Sequence, residues 1–133
     1  MANSSSRMLI VDDDVSVREM FAYMLRLDGY VVRTAESAAA GLDAVVEWQP
    51  DAILLDYRMP GMNGLGFLSC LRARESTSHT PVAIITGDAD VTGILSAECA
   101  KLGACVYFKP IGIDDLLKVV YTLLPARTTS NCH

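Results

Sequence analysis

The chain has 133 residues, 51% of them apolar and 20% charged, with a formal net charge of -5. That length suits one domain with its own core, and the composition excludes a disordered chain. The acidic balance argues against a nucleic-acid surface, no apolar run approaches the ~20 residues of a membrane span, and the start MANSSSRMLIVDDD has no signal-peptide core.

In chain order, residues 1–6 read as a loose N-terminus, and the first apolar run is 8–11. A helix follows, with Asp14 as N-cap, Gly29 as stop, and Val17, Met20, Phe21, Met24 and Leu25 on one face. The second strand is short and weakly apolar, 30–32, running out into Arg33-Thr34. The second helix starts at Ser37 and ends before Pro50, with Leu42, Val45 and Val46 inward. The third strand is 52–55. A helix from about Gly64 to Arg74 turns Phe67, Leu68 and Leu71 inward. The fourth strand is 82–85, and its helix lies between Asp90 and Leu102, closed by Gly103. The fifth strand is 105–108, followed by a helix from Ile113 to Leu124 stopped by Pro125. Most of these strands are continuously apolar rather than alternating, as in a parallel sheet covered on both faces. Strands alternating with helices predict an α/β fold, a single (βα)5 doubly wound three-layer sandwich with parallel strand order 2-1-3-4-5. The domain spans 7–124 and leaves a short polar tail, 125–133.

Sites on open parallel sheets form at the carboxyl ends of the strands. Asp12, Asp13 and Asp14 follow the first strand, Asp56 the third, Thr86-Gly87 the fourth and Lys109-Pro110 the fifth. In the expected order four of these strands are neighbours, so Asp12, Asp13, Asp56, Thr86 and Lys109 converge. Carboxylates packed together repel unless a cation intervenes. A hard divalent ion such as Mg2+ suits such oxygen ligands, and three carboxylates, one Mg2+ and one lysine sum to zero charge. An aspartate in that setting can attack phosphorus, and in-line phosphoryl transfer is mainly positioning and charge neutralisation. Asp14 reads instead as a helix cap, and Trp48 and Tyr23 as packing residues.

The motifs LIVDDD, LLDYRMPGMNG, IITG and FKP, in this order and spacing, resemble the receiver domain of two-component response regulators over nearly the whole chain. The resemblance implies that Asp56 is the phosphoacceptor. It implies Mg2+ ligation by Asp13, Asp56 and the backbone carbonyl of Arg58, with Asp12 acting through water. Thr86 and Lys109 would contact the phosphoryl group beside Gly87, and the Lys109-Pro110 bond would be cis. Similar receivers carry an aromatic residue three before the lysine; here that position is Val106, and strand alternation sets Val106 and Tyr107 on opposite faces. Arg58 and Asp88 are further expected to pair over the pocket mouth and to hinder the attacking water.

The implied function is a cytoplasmic phosphorylation-dependent switch, served by a sensor histidine kinase or a histidine phosphotransfer protein. It would act on a downstream protein through the surface of the fourth helix, fifth strand and fifth helix. It catalyses its own phosphorylation and slow dephosphorylation but is no metabolic enzyme, has neither nucleic acid nor membrane as partner, and is a monomer or weak homodimer. A constitutive interaction module on the same fold is the alternative. An aspartyl phosphohydrolase ranks below both, because Arg58 stands where a second carboxylate is needed. A flavin phosphate would be repelled by the acids. Both a stand-alone receiver and a regulator continuing past Leu124 stay open. The cysteines at 70, 99, 105 and 132 show no zinc spacing, and the first three are expected as reduced buried thiols.

Overall fold

Strands that are apolar at every position need cover on both sides, and the architecture supplies it. The computed structural model describes residues 6–87 and 93–124. Five parallel strands, β1 (Arg7–Val11), β2 (Val31–Ala35), β3 (Ala52–Leu55), β4 (Val82–Thr86) and β5 (Ala104–Phe108), pair in the order β2-β1-β3-β4-β5, as expected. The helices are α1 (Val15–Leu27), α2 (Ala38–Trp48), α3 (Gly64–Ala73), α4 (Gly93–Lys101) and α5 (Ile113–Leu123). Met8, Ile10, Ala52, Leu54, Ala83 and Ile85 pack toward α1 and α5, against Phe21, Leu25, Leu116 and Val120. Their strand neighbours Leu9, Val11, Ile53, Leu55, Val82 and Ile84 pack on the other face with Val45, Phe67, Leu68 and Leu71. The period-2 alternation of side chains therefore feeds two cores at once.

Local signals set the helix ends. Asp14 Oδ1 accepts from the Ser16 and Val17 amides at 2.9 and 3.2 Å, so it caps α1 as predicted. Ser37 and Asn63 cap α2 and α3 in the same way. Gly29 and Gly103, with φ of +95° and +78°, follow α1 and α4 in the left-handed region that a glycine adopts without strain.

Five sequence expectations need correction, the first being Tyr23, read as a packing residue but 64% exposed. Met20 and Val46, assigned inward, are 45% and 54% exposed. In α1 the buried line runs through Phe21, Ala22 and Leu25, and Met20 falls off its edge. In α2 the small residues Ala38, Gly41 and Ala44 bring the helix close to the sheet, which leaves Val46 on the outer side. Strand β2 also runs on through Arg33 and Thr34 to Ala35, because its ladder with β1 extends from Arg7↔Val31 to Val11↔Ala35. As an edge strand it alternates in burial, so its polar positions do not end it. Of the three cysteines, Cys99 is a buried free thiol and Cys70 a free but exposed one, while Cys105 is disulfide-bonded. No helix among the described residues is long and apolar enough to cross a membrane.

The approach of α2 is tight enough to test. A Cβ at Gly41 would lie 2.9 Å from Phe67 Cε2 and 3.0 Å from Val11 Cγ2, and both side chains are fully buried. Alanine gains about 1 kcal/mol of helix propensity, whereas overpacking costs about 1–3 kcal/mol. Gly41→Ala should therefore lower stability by about 1 kcal/mol in urea unfolding. A variant as stable as the parent would mean that the Phe67 ring can yield.

Candidate functional site

The carboxyl ends of β1, β3, β4 and β5 meet at one rim. The Asp12 amide donates to Ala35 O at 3.1 Å and the Asp56 amide to Val11 O at 2.9 Å, so both residues continue the sheet ladder by one position. Their side chains are nonetheless anionic groups at the edge of a core: Asp12 is 3% and Asp56 9% exposed. Buried carboxylates persist as anions only when paired. Lys109 supplies the partner. Its Nζ lies 3.0 Å from Asp12 Oδ2 and 3.5 Å from Asp56 Oδ1. The Lys109 amide donates to Thr86 O at 2.8 Å, which registers the end of β5 against β4. The peptide bond from Lys109 to Pro110 is cis, as expected.

Asp13 is exposed, yet one of its carboxylate oxygens falls in a cluster with those of Asp12 and Asp56, all within 4.8 Å of one another. One lysine against three carboxylates leaves a deficit of two positive charges. The consequence appears at Asp56, whose carboxyl is pushed up to about 6 by burial first and by the Asp12 charge next; Lys109 opposes this and Asp13 adds to it. Hard oxygen donors, clustered and short of positive charge, fit a divalent cation.

The loop after β3 is held by backbone contacts. The Gly64 amide donates to Tyr57 O at 2.6 Å, and a Cβ at Gly64 would lie 2.9 Å from Tyr57 Cα and 3.1 Å from Asp56 O. No side chain fits there without displacing the backbone of Asp56 and Tyr57. Tyr57 and Met59 are buried in the core beneath α2 and α3, while Arg58 between them is exposed. At Gly87 the situation differs: a Cβ would meet only Lys109 Cδ and Cβ, at 3.8 and 3.9 Å. Among the described residues, none excludes a side chain at that position.

Thr86 ends β4 fully buried. Val106 is half-buried, opposite Ile84, and packs with the α2–α3–α4 core, while Tyr107 packs with the α1–α5 core. The two do face opposite sides. Phe108 is the register partner of Thr86 and is 52% exposed. Asp88 lies outside the described residues, and with it the expected pairing to Arg58.

Sequence reading missed two contributors. Arg18 Nη1 donates to Asp12 O at 2.8 Å and ties α1 to the acidic strand end; the one signal is its place one helical turn after the cap Asp14. Asp12 Oδ1 also accepts from the Asp14 amide at 2.9 Å, so one carboxylate both turns the chain and faces Lys109.

Residues 8–121 match the family model described as response regulator receiver domain. The transcriptional regulatory protein FixJ of Azorhizobium caulinodans is 42% identical over 100 residues, which cover 75% of this chain and 46% of FixJ. The regulatory protein AtoC of Escherichia coli is 34% identical over 124 residues, covering 92% of this chain and 26% of AtoC. Sporulation initiation phosphotransferase F of Bacillus subtilis is 29% identical over 125 residues, covering 93% and 98%. The structure of the chemotaxis response regulator CheY4 of Vibrio cholerae superposes with a TM-score of 0.81 at 29% identity, covering 90% and 98%. This chain thus spans less than half the length of FixJ and AtoC and nearly all of the phosphotransferase and of CheY4.

The raised Asp56 pKa makes a stability prediction for the metal-free protein. With about 6 in the folded state against 3.8 as the ordinary value, the native state holds the proton more tightly than the unfolded chain. Stability must then fall as pH rises through this window. Asp56→Asn should stabilise the protein by roughly 2–3 kcal/mol at pH 7, with the gain vanishing near pH 4. Urea unfolding across pH checks it, and a gain independent of pH would refute the electrostatic account.

Proposed function

The chain belongs to the response regulator receiver domains, and on that premise we propose that it is a phosphorylation-dependent switch of a two-component pathway. The observation that carries the proposal is the placement of Asp56 within reach of Lys109 and beside the Asp12–Asp13 pair. In this reading a carboxylate oxygen of Asp56 attacks the phosphorus of a phosphohistidine on a sensor kinase or phosphotransfer protein. The new O–P bond forms as the N–P bond breaks, and the imidazole nitrogen keeps the electron pair and takes a proton. Asp56 needs no general base, because at neutral pH its carboxyl has largely lost its proton.

Mg2+ is the cofactor we propose, supplying the missing positive charge and orienting the phosphoryl oxygens. Asp13 and Asp56 would hold the ion directly, with the Arg58 carbonyl as third protein ligand and Asp12 acting through water; the clustering of the three acids supports this reading. Lys109 would move its ion pair to a phosphoryl oxygen, Thr86 would donate its hydroxyl, and Gly87 would leave room for the incoming group. Slow loss of the phosphoryl group to water completes the cycle, and the domain is otherwise no enzyme. We assign the protein to the cytoplasm, where such donors work, with a protein target that reads the α4–β5–α5 surface.

Because Val106 is aliphatic, movement of Thr86 cannot be coupled to an aromatic ring at that position. The output is therefore expected to depend on rearrangement of the α4 side itself. A constitutive module remains the reading to exclude by experiment.

Incubation with acetyl phosphate followed by intact-mass spectrometry decides the chemistry. A gain of one phosphoryl group that requires Mg2+ and is absent in Asp56→Asn is expected. No gain with either acetyl phosphate or a phosphohistidine donor, with Mg2+ binding confirmed, would leave the constitutive module. If Arg58 shields the acyl phosphate, Arg58→Ala should shorten its half-life severalfold, and an unchanged half-life rejects that role.

A further inference from the structure

The amino-terminal ends of β4 and β5 lie at the opposite edge of the sheet from the acidic cluster. There, α3, the turn between α4 and β5, and the end of α5 enclose a cavity of about 440 Å3. This is within the range of small-molecule sites. Arg72, His79 and Lys101 line it, and among the described residues no aspartate or glutamate does, in a chain of net charge -5. A local excess of positive charge in an acidic protein needs an account.

Arg72 is the fixed member. Its Nε donates to Leu102 O at 2.6 Å and its Nη1 to Thr77 O at 3.1 Å. Both acceptors are neutral carbonyls, and among the described residues no carboxylate pairs with this half-buried guanidinium. Two of its five N–H donors are used, so three remain, Nη2 among them. Nη2 lies against the backbone of Gly103, on the cavity wall: a Cβ there would meet it at 3.5 Å. Lys101 reaches the rim, held only by an exposed pair with Glu98 at 3.2 Å, and pairs of that kind hold weakly. His79 is exposed beside it. The rest of the wall is mixed: Ser78 and Thr122 carry hydroxyls, while Pro81, Val82, Leu102 and Leu123 are apolar.

We propose that this cavity binds a small ligand carrying an oxyanion, a phosphate or a carboxylate group, anchored by Arg72. A guanidinium immobilised by two carbonyls, with three N–H donors left over at the cavity wall, is pre-organised for planar oxyanion recognition. Lys101 and His79 add charge and a hydrogen-bond donor at the mouth, and the Ser78 and Thr122 side chains offer hydroxyls on the wall. The site shares no residue with the acidic cluster.

The test is an NMR titration of amide resonances in the full chain, without divalent ions, using sodium phosphate, adenosine monophosphate and sodium acetate in separate series. At least one should produce saturable shifts at His79, Leu102 and Gly103, with a Kd of about 1 mM or tighter. Saturation by phosphate and the nucleotide alone would assign a phosphate ligand, and by acetate alone a carboxylate. The double variant His79→Ala/Lys101→Gln changes only exposed side chains and places no like charge beside Glu98. It should weaken binding about tenfold or more with the thermal midpoint unchanged. Arg72→Lys keeps the charge, removes the planar fork and should abolish saturation. If that variant does not fold, the double variant still decides. The proposal is overturned by no saturable shift with any of the three probes, by equal affinity in the double variant, or by shifts centred on Asp56 and Lys109.

Discussion

One lysine holding two buried carboxylates is the interaction around which the rim of this sheet is organised. Lys109 comes from the end of β5, Asp12 from the end of β1 and Asp56 from the end of β3, so the contact spans the sheet across β4. It is incomplete by design of its charges: a single ammonium cannot neutralise Asp12, Asp13 and Asp56 together, and burial raises the cost of the remainder at Asp56. A group held near the limit of ionisation is primed to change partner. Adding a cation or a phosphoryl group alters the local charge by a whole unit or more, and the rim must respond.

The response has a rigid base. β1, β3 and β4 are buried on both faces, and the ladder bonds of the Asp12 and Asp56 amides prolong the sheet into the site. Gly64 presses the start of α3 onto the backbone of Asp56 and Tyr57, and Tyr57 and Met59 anchor the same loop in the core. Side-chain geometry at the acids is therefore set by strands and by a short pinned loop, and a rigid scaffold of that kind is what catalytic positioning requires.

Beyond that base, the end of β5 borders the same rim. Val106 occupies the inner face opposite Ile84, Tyr107 belongs to the α1–α5 core, and Phe108 stands exposed beside Thr86 in register. An aliphatic residue at 106 fills space without the reach of an aromatic ring.

Much of this was legible in the residue string. Continuous apolar runs ending on Asp12, Asp56, Thr86 and Lys109 specify a two-sided parallel sheet with polar groups at one edge, because only strand carboxyl ends can collect such residues. The caps at Asp14 and Ser37 and the stops at Gly29 and Gly103 are local signals, set by backbone chemistry within a few residues, and they were readable for the same reason. Tertiary structure alone decided what depends on distance between elements. The burial of Val46 and Met20 turned on how closely each helix approaches the sheet, and the length of β2 on its pairing with β1. The 3.0 and 3.5 Å reach of Lys109, the elevated Asp56 carboxyl and the basic cavity around Arg72 join residues far apart in the chain. Periodicity reports which face a residue occupies, whereas electrostatics and fit follow from separations that only the folded chain defines.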